Sequence, residues 1–187
     1  ICEFLKAVQY LHQNGISHGD IKAENILLDA NLTVKLCDFG YCRTNVIEGD
    51  ESKNGTLFYA APELFHSGKF NTLCSDIYSI GITLYSIYKL EFPFRNGSKE
   101  YIVQQIVNGD LYIQGGINKN IRKLIIKCTN LNPNKRPSID DILKDEYLNN
   151  DVAFDKDNNI AVKQETLFNN DKSNKWKSSS YNQLEIM

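Results

Sequence analysis

No apolar run in this sequence is long enough to span a bilayer. The N-terminus reads Ile1-Cys2-Glu3, with no basic region and no signal-peptide pattern. An initiator Met is also absent, which suggests a piece of something longer. No C-x-x-C pair occurs. The cysteines stand at 2, 37, 42, 74 and 128, an odd number at scattered spacings, and they read as reduced, cytosolic thiols. Cys37 and Cys42 have four residues between them and no His partner, so no metal site is expected there. Charge of one sign is lacking too. A net charge of -2 gives no overall argument for nucleic acid or an acidic membrane surface. No internal repeat is visible. The sequons at Asn31, Asn54 and Asn96 are chance matches in a cytosolic chain. The expected compartment is the cytoplasm, with the nucleus left open.

What is present is ordinary for a soluble globular protein: 42% hydrophobic and 24% charged residues. The 187 residues suffice for one domain with a real core. Ile1, Phe4, Leu5, Val8 and Leu11 form one stripe, so residues 1–14 are expected to be helical, with a stop at Asn14-Gly15. Ile26-Leu27-Leu28 and Thr33-Val34-Lys35-Leu36 are β-prone and flank the turn-like Asp29-Ala30-Asn31, which predicts a small hairpin. Residues 41–55 are polar and contain Gly, and they read as a mobile loop. Residues 75–90 are apolar nearly all round, the pattern of a buried helix. Asp76 near its start reads as an N-terminal capping carboxylate. Further helices are expected over 98–107, 118–130 and 138–148, the last opening with the capping box Ser138-x-x-Asp141. From 149 to 187 the composition turns polar, with isolated apolar residues. This is a disordered tail, with Leu167-Phe168 and Trp176 as a candidate docking peptide for a partner.

The chemistry concentrates in His18-Gly19-Asp20-Ile21-Lys22-Ala23-Glu24-Asn25, an H-x-D-x-K-x-x-N stretch. Asp38-Phe39-Gly40 follows, then Gly55-Thr56-x-x-Tyr59-x-Ala61-Pro62-Glu63. Each residue alone has a bland reading: a core histidine, turn-forming aspartates, a capping asparagine. Together, in this order and spacing, they resemble the C-terminal lobe of a eukaryotic protein kinase of the serine/threonine type, over residues 1 to 148.

The resemblance implies a mainly α fold in which the small hairpin carries the catalytic and metal-binding loops. It implies ATP and Mg²⁺ (or Mn²⁺) as cofactors and protein substrates as partners. Asp20 would accept or orient the proton of the substrate hydroxyl, and Lys22 would neutralise charge on the transferred phosphoryl group. Asn25 and Asp38 would hold the metal, since hard oxygen ligands suit Mg²⁺. Leu27 would lie beneath adenine. His18 and Phe39 would stack in a spine, with Gly40 completing the metal-binding turn. Thr56 would hydrogen-bond Asp20 and Lys22, Asp76 would hold the catalytic-loop backbone, and Glu63 would pair with Arg136.

Two departures stand out. The sequence holds no Gly-rich loop, no strand lysine and no helix glutamate, the N-terminal-lobe half of the cleft. A non-catalytic interaction module is therefore the competing reading for these residues alone. The presence of Asp20, Lys22, Asn25 and Asp38 together favours catalysis in the parent protein. Gly19 stands where many kinases place an arginine that reads a loop phosphate. Candidate phosphosites are Thr44 and Ser52, with Arg43 available for partial compensation. Activity is accordingly expected to depend little on loop phosphorylation. Ser52→Ala in the complete protein should leave phosphoryl transfer nearly unchanged, and a large loss of activity would contradict this expectation.

Overall fold

The computed structural model describes residues 1–44 and 56–145, together with the backbone of 46–48. Ser52 and the 149–187 tail lie outside the described residues. Among the described residues are five α-helices: α1 Cys2–Gln13, α2 Thr72–Lys89, α3 Lys99–Asn108, α4 Lys119–Cys128 and α5 Ile139–Leu143. Six short strands pair antiparallel in three two-stranded sheets. β1 (Ile16–Ser17) pairs with β4 (Arg43–Thr44), β2 (Ile26–Leu28) with β3 (Val34–Leu36), and β5 (Val46–Glu48) with β6 (Lys69–Asn71).

The β2–β3 hairpin forms where the sequence predicts it. Asp29 closes its turn, its Oδ1 accepting the backbone N–H groups of Asn31 and Thr33 at 2.9 Å each. These bonds hold the Asp29 carboxyl below its ordinary range. The expectation of a plain loop over 41–55 needs correction. Residues 43–44 and 46–48 are strands, pairing with Ile16–Ser17 and Lys69–Asn71. Two- and three-residue strands show no alternation, so their partners, distant in sequence, decide them.

Helix α2 organises the interior. It begins at Thr72, three residues before the expected start at 75, because Asn71 caps it by accepting the Leu73 N–H. Asp76 is therefore not the cap. Two apolar clusters meet α2 from different sides. Leu5, Val8, Ile77, Ile80, Leu84, Ile121 and Ile125 pack together on one, and Leu57, Phe58, Tyr78, Ile82, Ile102 and Ile106 on the other. Gly81 makes the first packing possible. A Cβ there would lie 2.7 Å from Thr129 Cγ2 and 2.9 Å from Cys128 Cβ, so α4 rests directly on the α2 backbone. The last turn departs from the buried reading. Ile87, Tyr88 and Leu90 are exposed. The apolar pattern says which residues favour burial, but not how far the covering elements extend.

The remaining helices follow their sequence signals closely. Ser98 caps α3, Asn118 caps α4, and the Ser138–Asp141 capping box opens α5. The Ser138 hydroxyl and then the Ser138 N–H, both donating to Oδ2, hold the Asp141 carboxyl below its ordinary range. α5 is shorter than the 138–148 expected, ending at Leu143 with Lys144 as its cap. No helix of the described residues is long and apolar enough to cross a membrane.

The hydroxyls of Tyr78 and Thr83 are buried without a hydrogen-bond partner among the described residues. Burial pushes the Tyr78 phenol well above its ordinary pKa. A buried donor without a partner forfeits its hydration, a penalty of about 1–3 kcal/mol. Tyr78→Phe keeps the ring, over which the Arg136 guanidinium sits 5.1 Å from the centroid. It should therefore raise the urea midpoint at unchanged m-value. A lowered midpoint would show that the hydroxyl contributes a favourable contact.

Candidate active site

Helix α1 ends at Gln13, and the chain turns through Gly15 and β1 into the segment 18–25. What shapes that segment is a carboxylate from α2. Asp76, only 2% exposed, accepts the His18 N–H through Oδ2 at 2.7 Å and the Gly19 N–H through Oδ1 at 2.9 Å. Nε2 of His12, from the last turn of α1, lies 2.9 Å from Oδ2. A buried carboxylate is tolerated only when donors surround it, and here they come from two separate elements.

His18 is fully buried and its ring bridges two segments. Nδ1 accepts the Asp20 N–H at 3.3 Å, and Nε2 lies 3.0 Å from the Cys37 carbonyl. Both contacts fit one neutral tautomer, with the proton on Nε2. Its ring meets Phe39 at 5.3 Å between centroids, tilted by 58°.

Around Asp20 the polar groups interlock. Lys22 Nζ lies 2.7 Å from Asp20 Oδ2 and donates to Thr56 Oγ1 at 2.8 Å. Thr56 donates its hydroxyl to Asp20 Oδ1 at 2.9 Å and its N–H to the same oxygen at 3.2 Å. Asn25 Nδ2 donates to the Asp20 carbonyl at 2.8 Å and to Oδ2 at 3.3 Å. Asp20 is thus a buried, fixed anion with one adjacent cation. Oδ1 of Asn25 makes no hydrogen bond among the described residues.

The hairpin register brings Asp38 beside this group. Asn25 immediately precedes β2, Ile26 pairs with Leu36, and the Cys37 N–H donates to the Asn25 carbonyl at 3.0 Å. Asp38 is the next residue. It is exposed and takes a left-handed backbone, φ 63°. Its Oδ1 receives only a long contact, 3.4 Å, from the Gly40 N–H. Among the described residues no cluster of three or more His, Cys, Asp or Glu side chains could hold a metal. The amide oxygen of Asn25 and the carboxylate of Asp38 are two hard donors. They fit a cation that takes its remaining ligands from a bound substrate and water. Leu27, Leu28, Leu32 and Phe39 are each at least half exposed on and beside the hairpin, so this side of the site is an open apolar face.

Gly19 has φ 81°, and a Cβ built there would stand 2.4 Å from the Tyr41 carbonyl oxygen. No side chain fits at 19 unless the backbone at 41 moves. Thr44 is exposed in β4, its carbonyl accepting the Thr72 hydroxyl at 3.0 Å. Further from the centre, Glu63 and Arg136 form a bidentate ion pair, 2.6 and 2.7 Å, in which the Arg136 side chain is fully buried. Arg136 also donates to the carbonyls of Cys74 and Asn130, and Ser75 donates to Glu63 Oε1.

Sequence reasoning missed one participant, His12, and named a second, Tyr59, within a motif without giving it a role. His12 falls on the buried α1 face, at i+7 from Leu5 and i+4 from Val8, and that position was its available signal. Tyr59 donates its phenol to Glu24 Oε2 at 3.0 Å. Burial and the neighbouring Glu24 charge both raise the Tyr59 pKa, so it stays a donor.

Residues 1–148 match the model of the protein kinase domain. The chain is 36% identical over 149 residues to the serine/threonine-protein kinase kin-29 of Caenorhabditis elegans, covering 78% of this chain and 18% of that protein. It is 37% identical over 150 residues to the serine/threonine-protein kinase ppk34 of Schizosaccharomyces pombe, covering 78% of this chain and 42% of that protein. The chain therefore spans less than half the length of these curated relatives.

Glu63→Ala should destabilise the protein by about 3–5 kcal/mol, because the buried guanidinium of Arg136 is left without its counter-charge. Denaturant unfolding measures this directly. A loss below about 1 kcal/mol, the size expected of an exposed pair, would mean that solvent reaches the guanidinium.

Proposed function

The chain belongs to the protein kinase family, and from that premise we propose that it is the C-terminal lobe of a serine/threonine protein kinase. The whole protein transfers the γ-phosphoryl group of ATP to Ser or Thr hydroxyls of protein substrates. The observation that carries the reading is the fixed Asp20 carboxylate, held by Lys22, Thr56 and Asn25, with the Asn25 amide oxygen and the exposed Asp38 carboxylate left for a cation.

Phosphoryl transfer rests on positioning and charge compensation. Asp20 Oδ atoms orient the substrate hydroxyl and take its proton as the new P–O bond forms. Four contacts fix that carboxylate before substrate arrives, so little reorganisation is required at the moment of reaction. Lys22, bridging Asp20 and Thr56, places its ammonium where the transferred group carries charge. Asn25 Oδ1 and the Asp38 carboxylate would hold Mg²⁺ or Mn²⁺, which when bound supplies charge compensation for phosphate oxygens. Leu27, half exposed on the hairpin, offers its side chain to the adenine ring.

The open face of Leu27, Leu28, Leu32 and Phe39 supports a further part of the protein closing over it. That part would supply the other wall of the nucleotide cleft, so activity is assigned to the complete protein. The free state of all five cysteines is consistent with a cytoplasmic or nuclear setting. Substrate proteins are proposed on family grounds alone, and a partner for the 149–187 tail on Leu167-Phe168 and Trp176 alone.

The test is phosphoryl transfer from labelled ATP to a mixed Ser/Thr peptide library by the full-length protein. Asp20→Ala should lower the rate by about 10²–10⁴-fold, the usual worth of a positioned general base. Asp38→Asn should abolish transfer at any Mg²⁺ concentration tested. Turnover retained in both variants would overturn the assignment.

A further inference from the structure

Helix α4 carries a charge pattern that works against its own stability. Its sequence includes Lys119, Arg122, Lys123 and Lys127 and no acidic residue. Lys119, Lys123 and Lys127 follow at i, i+4 and i+8, so like charges stack along one face. Lys119 is the first helical residue, where the positive end of the helix dipole disfavours a cation. Lys135 adds a further cation in the 3₁₀ turn Pro133–Lys135. All of these cations are exposed, and none takes part in an ion pair among the described residues. The opposite face of α4, with Ile121, Leu124, Ile125 and Cys128, is buried, which fixes the cations outward. In a chain of net charge -2 this is a segregated basic face. It also has exposed aliphatic groups in and beside it, Ile126 and Leu131.

We propose that the outward face of α4 is a docking surface for an extended acidic segment of a partner protein. Residues four apart on a helix rise about 6 Å. Residues two apart on an extended strand, on the same side, are separated by about 6.6 Å. Three carboxylates at alternate positions therefore meet Lys119, Lys123 and Lys127 in register. A membrane is disfavoured because the apolar side of α4 is already spent on the core. Nucleic acid is disfavoured because residues 117–136 include no aromatic ring on which a base could stack.

The experiment uses the full-length protein and a short fluorescein-labelled peptide with glutamate at alternate positions and leucine between them, read by fluorescence anisotropy. Its references are the same peptide with lysine for glutamate and a single-stranded oligonucleotide. The acidic peptide should bind, and Lys123→Glu should weaken it by about tenfold or more. The same change turns the repulsive pairs 119–123 and 123–127 into attractive ones, so its melting temperature should equal or exceed the parent's. No binding of the acidic peptide, unchanged binding in Lys123→Glu, tighter binding of the oligonucleotide, or a lowered melting temperature would each overturn the proposal. None of these readings involves phosphoryl transfer, so the result is independent of the proposed activity.

Discussion

The buried carboxylate of Asp76 is the constraint from which the site follows. It sits on the most buried helix, and a charge there must find donors or be protonated. The donors are the N–H groups of His18 and Gly19 and the ring of His12. Two consecutive backbone amides pointing at one carboxylate fix the path of the chain into Asp20. The His18 ring, held by the same segment, carries that rigidity on to Cys37 and the residue after it, Asp38. One charge in the interior thereby ties together the positions of Asp20 and Asp38.

A buried ion pair acts at the far end of the same stretch. Thr56 is bonded to Asp20 and Lys22, and Glu63 is clamped by Arg136. The residues between them, Leu57 to Tyr59 among others, pack into the second apolar cluster. Segment 56–63 is thus held at both ends by charge-assisted bonds and in the middle by burial. Such a pair adds little net stability compared with apolar packing, but its geometry is unforgiving, and that gives a single register to a segment made of short turns.

Legibility from sequence followed the range of the interaction. The 18–25 motif, the hairpin and the capping box of α5 are local patterns, and all could be read directly. The helix over 72–89 was recognised from its apolar residues, yet its start was misplaced because Asn71 was not recognised as the cap. Asp76 drew opposite readings from local pattern and from resemblance. Only the fold shows its oxygens turned away from its own helix and toward residue 18. The strands at 43–44 and 46–48 depend on partners at 16–17 and 69–71, and nothing in their own residues announces them. His12 lay on the buried face of α1, but its partner is 64 residues away.

The close approach of Gly19 to the Tyr41 carbonyl has a consequence for how this protein could change. A residue that touches a neighbour through its side chain can be exchanged in one step, with a graded penalty. Here the neighbour is backbone, and the dihedral itself is one that other residues rarely adopt. A single-step replacement of Gly19 therefore strains the loop before any benefit of the new side chain is felt. Gaining a charged group at this position takes at least two coordinated changes, one of them a shift of the main chain around residue 41.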